Sequence, residues 1–318
     1  MNLLVKEARR LQNYAGGEWR NGTGQEMVLL HAALGHAHAV LESGADELPR
    51  AVDWARSTGG PALRALSFHR RAKMVQALAK HLAQQQEALV QECFAAGATL
   101  RDIRLDCRGG LAGMQALAAR AARLLPDQQV LCEGEASFDP ADQTAQQGIL
   151  SSCGGVAVHV TSYDFPVRGV LKRLAPALMA GVPSILRPAS DTAFVAEALV
   201  RLIAQSGLLP EGAVQLVYAG VDTIPDALAA GDILTCTGSR AQVAFLRRHP
   251  KTALGEIRLQ TEEDGLSAAI LGPDVTPDSP AMAQFLQENF LTPAVVARQP
   301  LPSIGSKRCQ REPHSNNN

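Results

Sequence analysis

The stretch GGVAVHVTSYDFPVRGVLKRLAPALMAGVPSILRPAS, residues 154–190, decides how the chain folds. It opens on a short β-branched run, VAVHV (156–160), bounded by glycines, which predicts a strand. A turn-like Asp164-Phe165-Pro166 follows. Val167, Val170, Leu171, Leu174 and Leu178 then recur at three- and four-residue steps, which predicts a helix over 167–179 with one apolar face. Gly181 stops that helix, and VPSILR (182–187) returns to strand. A carboxylate, Asp164, and a guanidinium, Arg187, stand at the two ends of this helix-and-strand unit.

The alternation continues downstream. A helix is predicted from about Thr192 to Gln205, stopping at Gly207. A strand at 213–218, a short helix near 223–230, a strand at 233–237, a helix from Ser239 to about Arg248 and a strand at 256–260 complete the series. Strands alternating with helices mean an α/β fold with a parallel sheet and helices on its faces. Such sheets bind ligands beyond the carboxyl ends of their strands. The residues to read closely are therefore Asp164, Arg187, Gly220, Ser239 and Glu262.

Upstream, YAGGEWRNGTGQEMVLL has turn signals at Gly16-Gly17 and Asn21-Gly22 between strand-prone neighbours, which predicts a hairpin. From about Ala51 to Leu125 the period is helical. Gly97 is expected to close one helix and Gly109-Gly110 to interrupt the next. Residues 126–149 are polar and read as a connector or extended excursion. Residues 291–318 carry four prolines and a terminal Asn run, and read as a divergent, disordered tail. There is no internal repeat.

Composition narrows the function. Thirty basic and 31 acidic side chains among 318 residues leave no electrostatic footprint for nucleic acid or an anionic membrane. The six cysteines are Cys93, Cys107, Cys132, Cys153, Cys236 and Cys309, and no two are spaced Cys-x-x-Cys. Neither a zinc site nor a disulfide framework is indicated. The start of the chain has no secretory h-region, and no apolar run is long enough to span a bilayer. A cytoplasmic location is the expectation. G-x-G-x-x-G and Walker fingerprints are both absent. His159 alternates with valines and is expected to pack against a helix, and Trp19 and Trp54 read as packing residues.

GVAVHVTSYDFPVRGVLKRLAPALMAGVPSILRPAS, then LIAQSGLLPEGAVQLV, then ILTCTGS, together resemble the nucleotide-binding half of the aldehyde dehydrogenase superfamily. That family reads Asn-Phe-Pro, Lys-Pro-Ala and Phe-Thr-Gly-Ser in the same order and spacing. GGPALRALSFHRRAKM, ALMAGVPSILRPA and LGPDVTPDSP are similar to one branch in particular. It is that of the dehydrogenase domain of bacterial bifunctional phenylacetate-degradation proteins and a relative in benzoyl-CoA degradation. The resemblance runs from about Leu11 to Phe290. It implies a Rossmann-like parallel sheet with an N-terminal helical and hairpin portion. Residues 1–262 would be the NAD(P)-binding domain and 263–290 the start of a catalytic domain.

The resemblance also assigns roles. Asp164 stands where the family has the Asn of the oxyanion hole. Arg187 stands where a Lys holds the adenosine ribose or its 2′-phosphate, and Ser190 where NAD-preferring members often carry Glu. Arg grips phosphate with two donors, and Ser190 adds no negative charge, so NADP is favoured over NAD. Thr161, Gly220, Thr237, Gly238 and Ser239 complete the cofactor set, and Glu262 matches the general base. No metal is expected. Each residue also has a plainer reading. Arg187 could be a solvated strand-end arginine, Ser239 a simple helix cap, Glu262 a surface carboxylate and Asp164 the cap of the helix after Pro166. Val243 replaces a family Gly, where a side chain could impede backbone approach.

The implied reaction oxidises an aldehyde of the CoA-linked semialdehyde class to its acid, in a homo-oligomer. It needs a cysteine thiolate, which in this branch lies in a Gly-Gln-Lys-Cys motif, and the sequence holds no such motif. Cys309 reads as an incidental tail cysteine and Cys236 as a small buried hydrophobe. An ionised Asp164 accepts hydrogen bonds but cannot donate them to an oxyanion. Two expectations follow. The sequence stops short of the nucleophile, and the chain exposes apolar edges that favour association or poor solubility. A catalytically inactive nucleotide- or partner-binding chain is the alternative.

Overall fold

The structure, a computed structural model, describes residues 8–139, 144–263, 271–272 and 275–290. The chain divides into two compact units, Met1–Asp264 and Gly265–Asn318, each described by itself. In the second, the described element is one helix, Pro280–Phe290, whose start is capped where Ser279 Oγ accepts from the Met282 N–H at 3.2 Å.

In the first unit the strands are β1 (Arg9–Arg10), β2 (Gln12–Ala15), β3 (Glu18–Asn21), β4 (Glu26–Leu30), β5 (Ala37–Glu42), β6 (Leu131–Asp139), β7 (Thr144–Leu150), β8 (Ala157–Val160), β9 (Ser184–Arg187), β10 (Val214–Leu216), β11 (Ile233–Gly238) and β12 (Arg258–Glu263). The helices are α1 (Glu47–Trp54), α2 (Gly60–Arg64), α3 (Phe68–Gln84), α4 (Gln86–Ala95), α5 (Leu100–Leu124), α6 (Pro166–Ala180), α7 (Ala193–Gln205), α8 (Ile224–Ala227), α9 (Arg240–Arg248) and α10 (Pro250–Ala253).

The main sheet has the order β12-β11-β8-β9-β10-β2-β3. Its five strands from β12 to β10 are parallel, as the alternating pattern predicts. Strands β8 and β10 are buried throughout, because helices cover both faces, and they read as largely apolar runs in which His159 and Gln215 are the buried polar exceptions. Successive side chains serve opposite cores. Leu186 joins Leu171, Leu174 and Leu199 beneath α6 and α7, while Ile185 joins Val52, Ile224 and Val243 on the other side.

The N-terminal hairpin forms as expected. Gly16 (φ 65°) and Gly17 (φ 79°) make a two-residue turn between β2 and β3, and β2 adds antiparallel to the sheet edge at β10. Gly97 (φ 86°) follows the end of α4, also as expected. Residues 131–139 and 144–150 form a two-stranded antiparallel ribbon, the extended excursion anticipated for that segment. Strands β1, β5 and β4 make a separate three-stranded sheet.

Two expectations are corrected. Helix α5 runs through Gly109-Gly110 without interruption. A Cβ on Gly110 would lie 3.0 Å from Arg168 Cα and 3.1 Å from Leu171 Cδ1, so this glycine lets α5 approach the backbone of α6. His159 does not simply pack on a helix. Its ring bridges two neighbouring strands, with Nδ1 2.9 Å from Thr235 Oγ1 on β11 and Nε2 3.2 Å from Ser184 Oγ on β9. Burial, with Arg173 adding to it, pushes its pKa down to about 3, so the ring is neutral. No described helix is long and apolar enough to cross a membrane.

Candidate functional site

Because β8 to β12 are parallel, their carboxyl ends share one edge of the sheet. Val160 on β8 is paired with Arg187 on one side and with Cys236 on the other. Thr161, buried, extends this pairing by donating its N–H to the Arg187 carbonyl at 3.1 Å. With strands about 4.8 Å apart, Arg187 and the Thr237-Gly238-Ser239 turn face each other across β8 at about 10 Å. The predicted strand-end residues therefore come to one edge.

Arg187 is not a solvated strand-end arginine. Its Nε donates to Ala219 O at 2.9 Å and its Nη1 to Pro188 O at 3.1 Å. Burial lowers its pKa, opposed by Cys236 and Asp222, but an arginine remains charged. Its Nη2 has no protein partner among the described residues. Both hydrogen-bond partners are neutral, and Asp222 acts on the guanidinium only through space. Gly220, next to the anchoring Ala219, begins a 3-10 turn (Val221–Thr223). Ser190 begins another after β9 and lies half-buried.

Ser239 caps α9 in a reciprocal box. Its Oγ accepts from the Gln242 N–H, and Gln242 Oε1 accepts from the Ser239 N–H, both at 3.3 Å. The cap reading thus holds, and it coexists with the attraction of a helix N-terminus for phosphate. Val243 is fully buried in the core beneath α9.

Glu262 on β12 is paired in register with Thr237. Lys172 Nζ and an Arg173 Nη2 each lie 2.8 Å from its oxygens, and Thr237 Oγ1 donates to it at 3.3 Å. The hydrogen bond from Lys172, with the charges of Arg173 and Lys172, holds its pKa below the usual carboxylate range despite partial burial. A carboxylate so held is a weak base. Lys172 and Arg173 come from the polar face of α6.

Asp164 is half-buried, and its carboxylate accepts a hydrogen bond from Ser162 Oγ. It does not cap α6. The residue before that helix is Phe165, in the left-handed region at φ 51°, and it makes no side-chain cap. The acceptor is Asp106 on α5, whose carboxylate takes the N–H groups of Val167 at 3.1 Å and Arg168 at 2.6 Å. Burial pushes the Asp106 pKa up to about 6, against these two hydrogen bonds. At the other end of α6, the buried Arg71 of α3 donates to Met179 O at 2.9 Å. Asp106, Lys172, Arg173 and Arg71 were not singled out from the sequence. The signal for Lys172-Arg173 was their place opposite the apolar stripe; the other two act through tertiary contacts alone.

Cys236 is fully buried beside this edge, and burial raises its thiol pKa, as suits the hydrophobe it was read to be. Cys309 lies outside the described residues. Among the described residues no group of three or more His, Cys, Asp or Glu is placed to hold a metal. The edge does fit a dinucleotide. Arg187 presents an Nη2 with no protein partner among the described residues, and Ser239 opens a capped helix at the same edge.

Comparison with known proteins identifies the family and the fold. The chain is 34% identical over 281 residues to a 3,4-dehydroadipyl-CoA semialdehyde dehydrogenase of Aromatoleum evansii, covering 88% of this chain and 54% of that protein. It thus spans about half the length of that curated relative. Its fold matches the crystal structure of an aldehyde dehydrogenase from Bartonella henselae with a TM-score of 0.74, at 18% identity, over 89% of this chain and 58% of that one. It also matches a betaine aldehyde dehydrogenase variant from Staphylococcus aureus in complex with NAD+, with a TM-score of 0.68, at 19% identity, over 83% and 52% of the two chains. The family model for the aldehyde dehydrogenase family matches residues 19–292. A parallel sheet with its polar residues gathered at one edge, and a family match over most of its length, make this chain a member of the aldehyde dehydrogenase family.

Proposed function

We propose that this chain is the nucleotide-binding half of a cytoplasmic, NADP-linked semialdehyde dehydrogenase acting on a CoA-linked aldehyde of aromatic degradation. The observation that carries the cofactor assignment is Arg187, a half-buried cation whose hydrogen-bond partners are neutral and whose Nη2 has no protein partner among the described residues. The substrate class rests on the 34% identity to the CoA-semialdehyde enzyme. Residues 1–262 form the cofactor domain in this reading, and 263–290 begin the catalytic one.

Bound NADP supplies the hydride acceptor. The chain's own residues do the rest of what this half can do. Arg187 would hold the 2′-phosphate, with Gly220 beside it at the ribose. Ser239 presents the α9 N-terminus to the pyrophosphate. Glu262 takes a proton from water once Lys172 and Arg173 release it. Asp164 serves an oxyanion only in its protonated form.

A second reading, nucleotide binding without turnover, is favoured by a specific observation. Glu262 is engaged by two cations, and Cys236 at this edge is buried with its thiol pKa raised. Calorimetry with NADP and a coupled assay with a CoA semialdehyde separate the two. NADP-linked turnover abolished by Cys309→Ala selects the first reading for this chain. Binding without turnover selects the second, and no binding of either NADP or NAD refutes both.

A further inference from the structure

We infer that Asp222 is a specificity-determining residue for the adenosine ribose, restraining the preference for a 2′-phosphate that Arg187 creates and admitting the free 2′-hydroxyl of NAD. The inference rests on the cofactor reading above and deepens it.

The sequence has no acid at Ser190, where the family resemblance looks for one. An acid reaches the same corner from a different strand. Asp222 follows β10, in the 3-10 turn that begins after Gly220. Its carboxylate folds back over that glycine, so that a Cβ on Gly220 would lie 2.5 Å from Asp222 Oδ1. The residue before Gly220 is Ala219, whose carbonyl anchors Arg187 Nε at 2.9 Å. The carboxylate therefore sits one residue along from the guanidinium's anchor. Asp222 is exposed. Arg187 feels its charge through space, which opposes the effect of burial on the guanidinium.

The chemistry follows from the charges. A carboxylate accepts a hydrogen bond from a ribose 2′-hydroxyl, the device by which acidic residues select NAD in dinucleotide sites. The same carboxylate repels a 2′-phosphate, which carries up to about two negative charges near neutral pH. Arg187 attracts that phosphate. The corner therefore holds one attractive and one repulsive group for NADP, and one good acceptor for NAD.

The test is titration of the purified chain with NADP and with NAD, by calorimetry, for the wild type, Asp222→Asn and Asp191→Asn. Asp191 is the exposed acid beside Ser190 and serves as the comparator. Asp222→Asn is expected to raise the ratio of NADP to NAD affinity about ten-fold at low salt, and less at high salt. Asp191→Asn is expected to change it less than three-fold or so. Because Asp222 is exposed, matching thermal melts will show that the variant is folded. An unchanged ratio in Asp222→Asn, or a shift that follows Asp191→Asn instead, overturns the inference and leaves the cofactor reading standing. Failure of the wild type to bind either nucleotide overturns both.

Discussion

At one end of the strand edge, Arg187 is a half-buried cation whose hydrogen-bond partners are two backbone carbonyls. At the other, Glu262 is an anion with 46% of its side chain exposed, held between Lys172 and Arg173. Neutral partners fix the geometry of a charge without cancelling it. Charged partners do both. The Arg187 end is therefore ready for an incoming anion, while the Glu262 end has its charge already answered. The contrast follows from where each residue sits. Arg187 ends an interior strand, and Glu262 lies on β12, an edge strand open to water and within reach of α6.

The largest expected effect tests how the Glu262 end is positioned. Asp106→Ala removes the acceptor for two N–H groups at the start of α6, and should cost about 3 kcal/mol in urea denaturation. It should leave nucleotide affinity within a few-fold of wild type. A collapse of NADP binding would mean that the two ends are not independent. Next, Arg187→Ala should weaken NADP binding about 100-fold by calorimetry, since a charge-assisted contact is lost. Glu262→Gln should change it less than about three-fold, because an exposed pair contributes little.

The pH dependence of stability sharpens the comparison. The folded pKa of His159, about 3, lies below its ordinary value of 6.5. Its contribution is present above about pH 6.5 and lost as pH falls toward 3. Asp106 has the opposite sign. Its folded pKa, about 6, lies above the ordinary 3.8, so its contribution favours the fold below about pH 4 and fades as pH rises to 6. The two slopes oppose each other between pH 4 and 6. Replacing Asp106 with Asn should steepen the loss of stability on acidification there, and His159→Gln should flatten or reverse it. The smallest effect is at Glu262. Its pairing is present above the ordinary carboxylate pKa and lost as pH falls through its lowered value. Glu262→Gln should cost under about 1 kcal/mol, less still in high salt.

The parallel sheet was legible because strands buried on both faces are largely apolar, and VAVHV and VPSILR are, with His159 and Ser184 as polar exceptions and Arg187 at the end. Arg187 was legible as a polar residue ending such a run. Gly109-Gly110 misled because glycine disfavours a helix locally by about 1 kcal/mol per residue, and nothing local reveals that α6 needs the space. The plainer reading of Asp164 made it the cap of α6, whereas the carboxylate that serves, Asp106, lies 61 positions before Val167. Periodicity cannot report a contact of that range. His159 was placed correctly in the interior, but lateral bonding within a sheet leaves no mark on the alternation that exposed it.

Helix α6 is gripped at its front by Asp106 and at its rear by Arg71, both from helices that precede the parallel sheet in the chain. The cations that answer Glu262 are thus aimed by a segment that holds no strand of that parallel core. The nucleotide fold is consequently not a detachable module. A piece cut to begin at β8 would retain every residue of the strand edge, yet lose the two fixtures that orient α6.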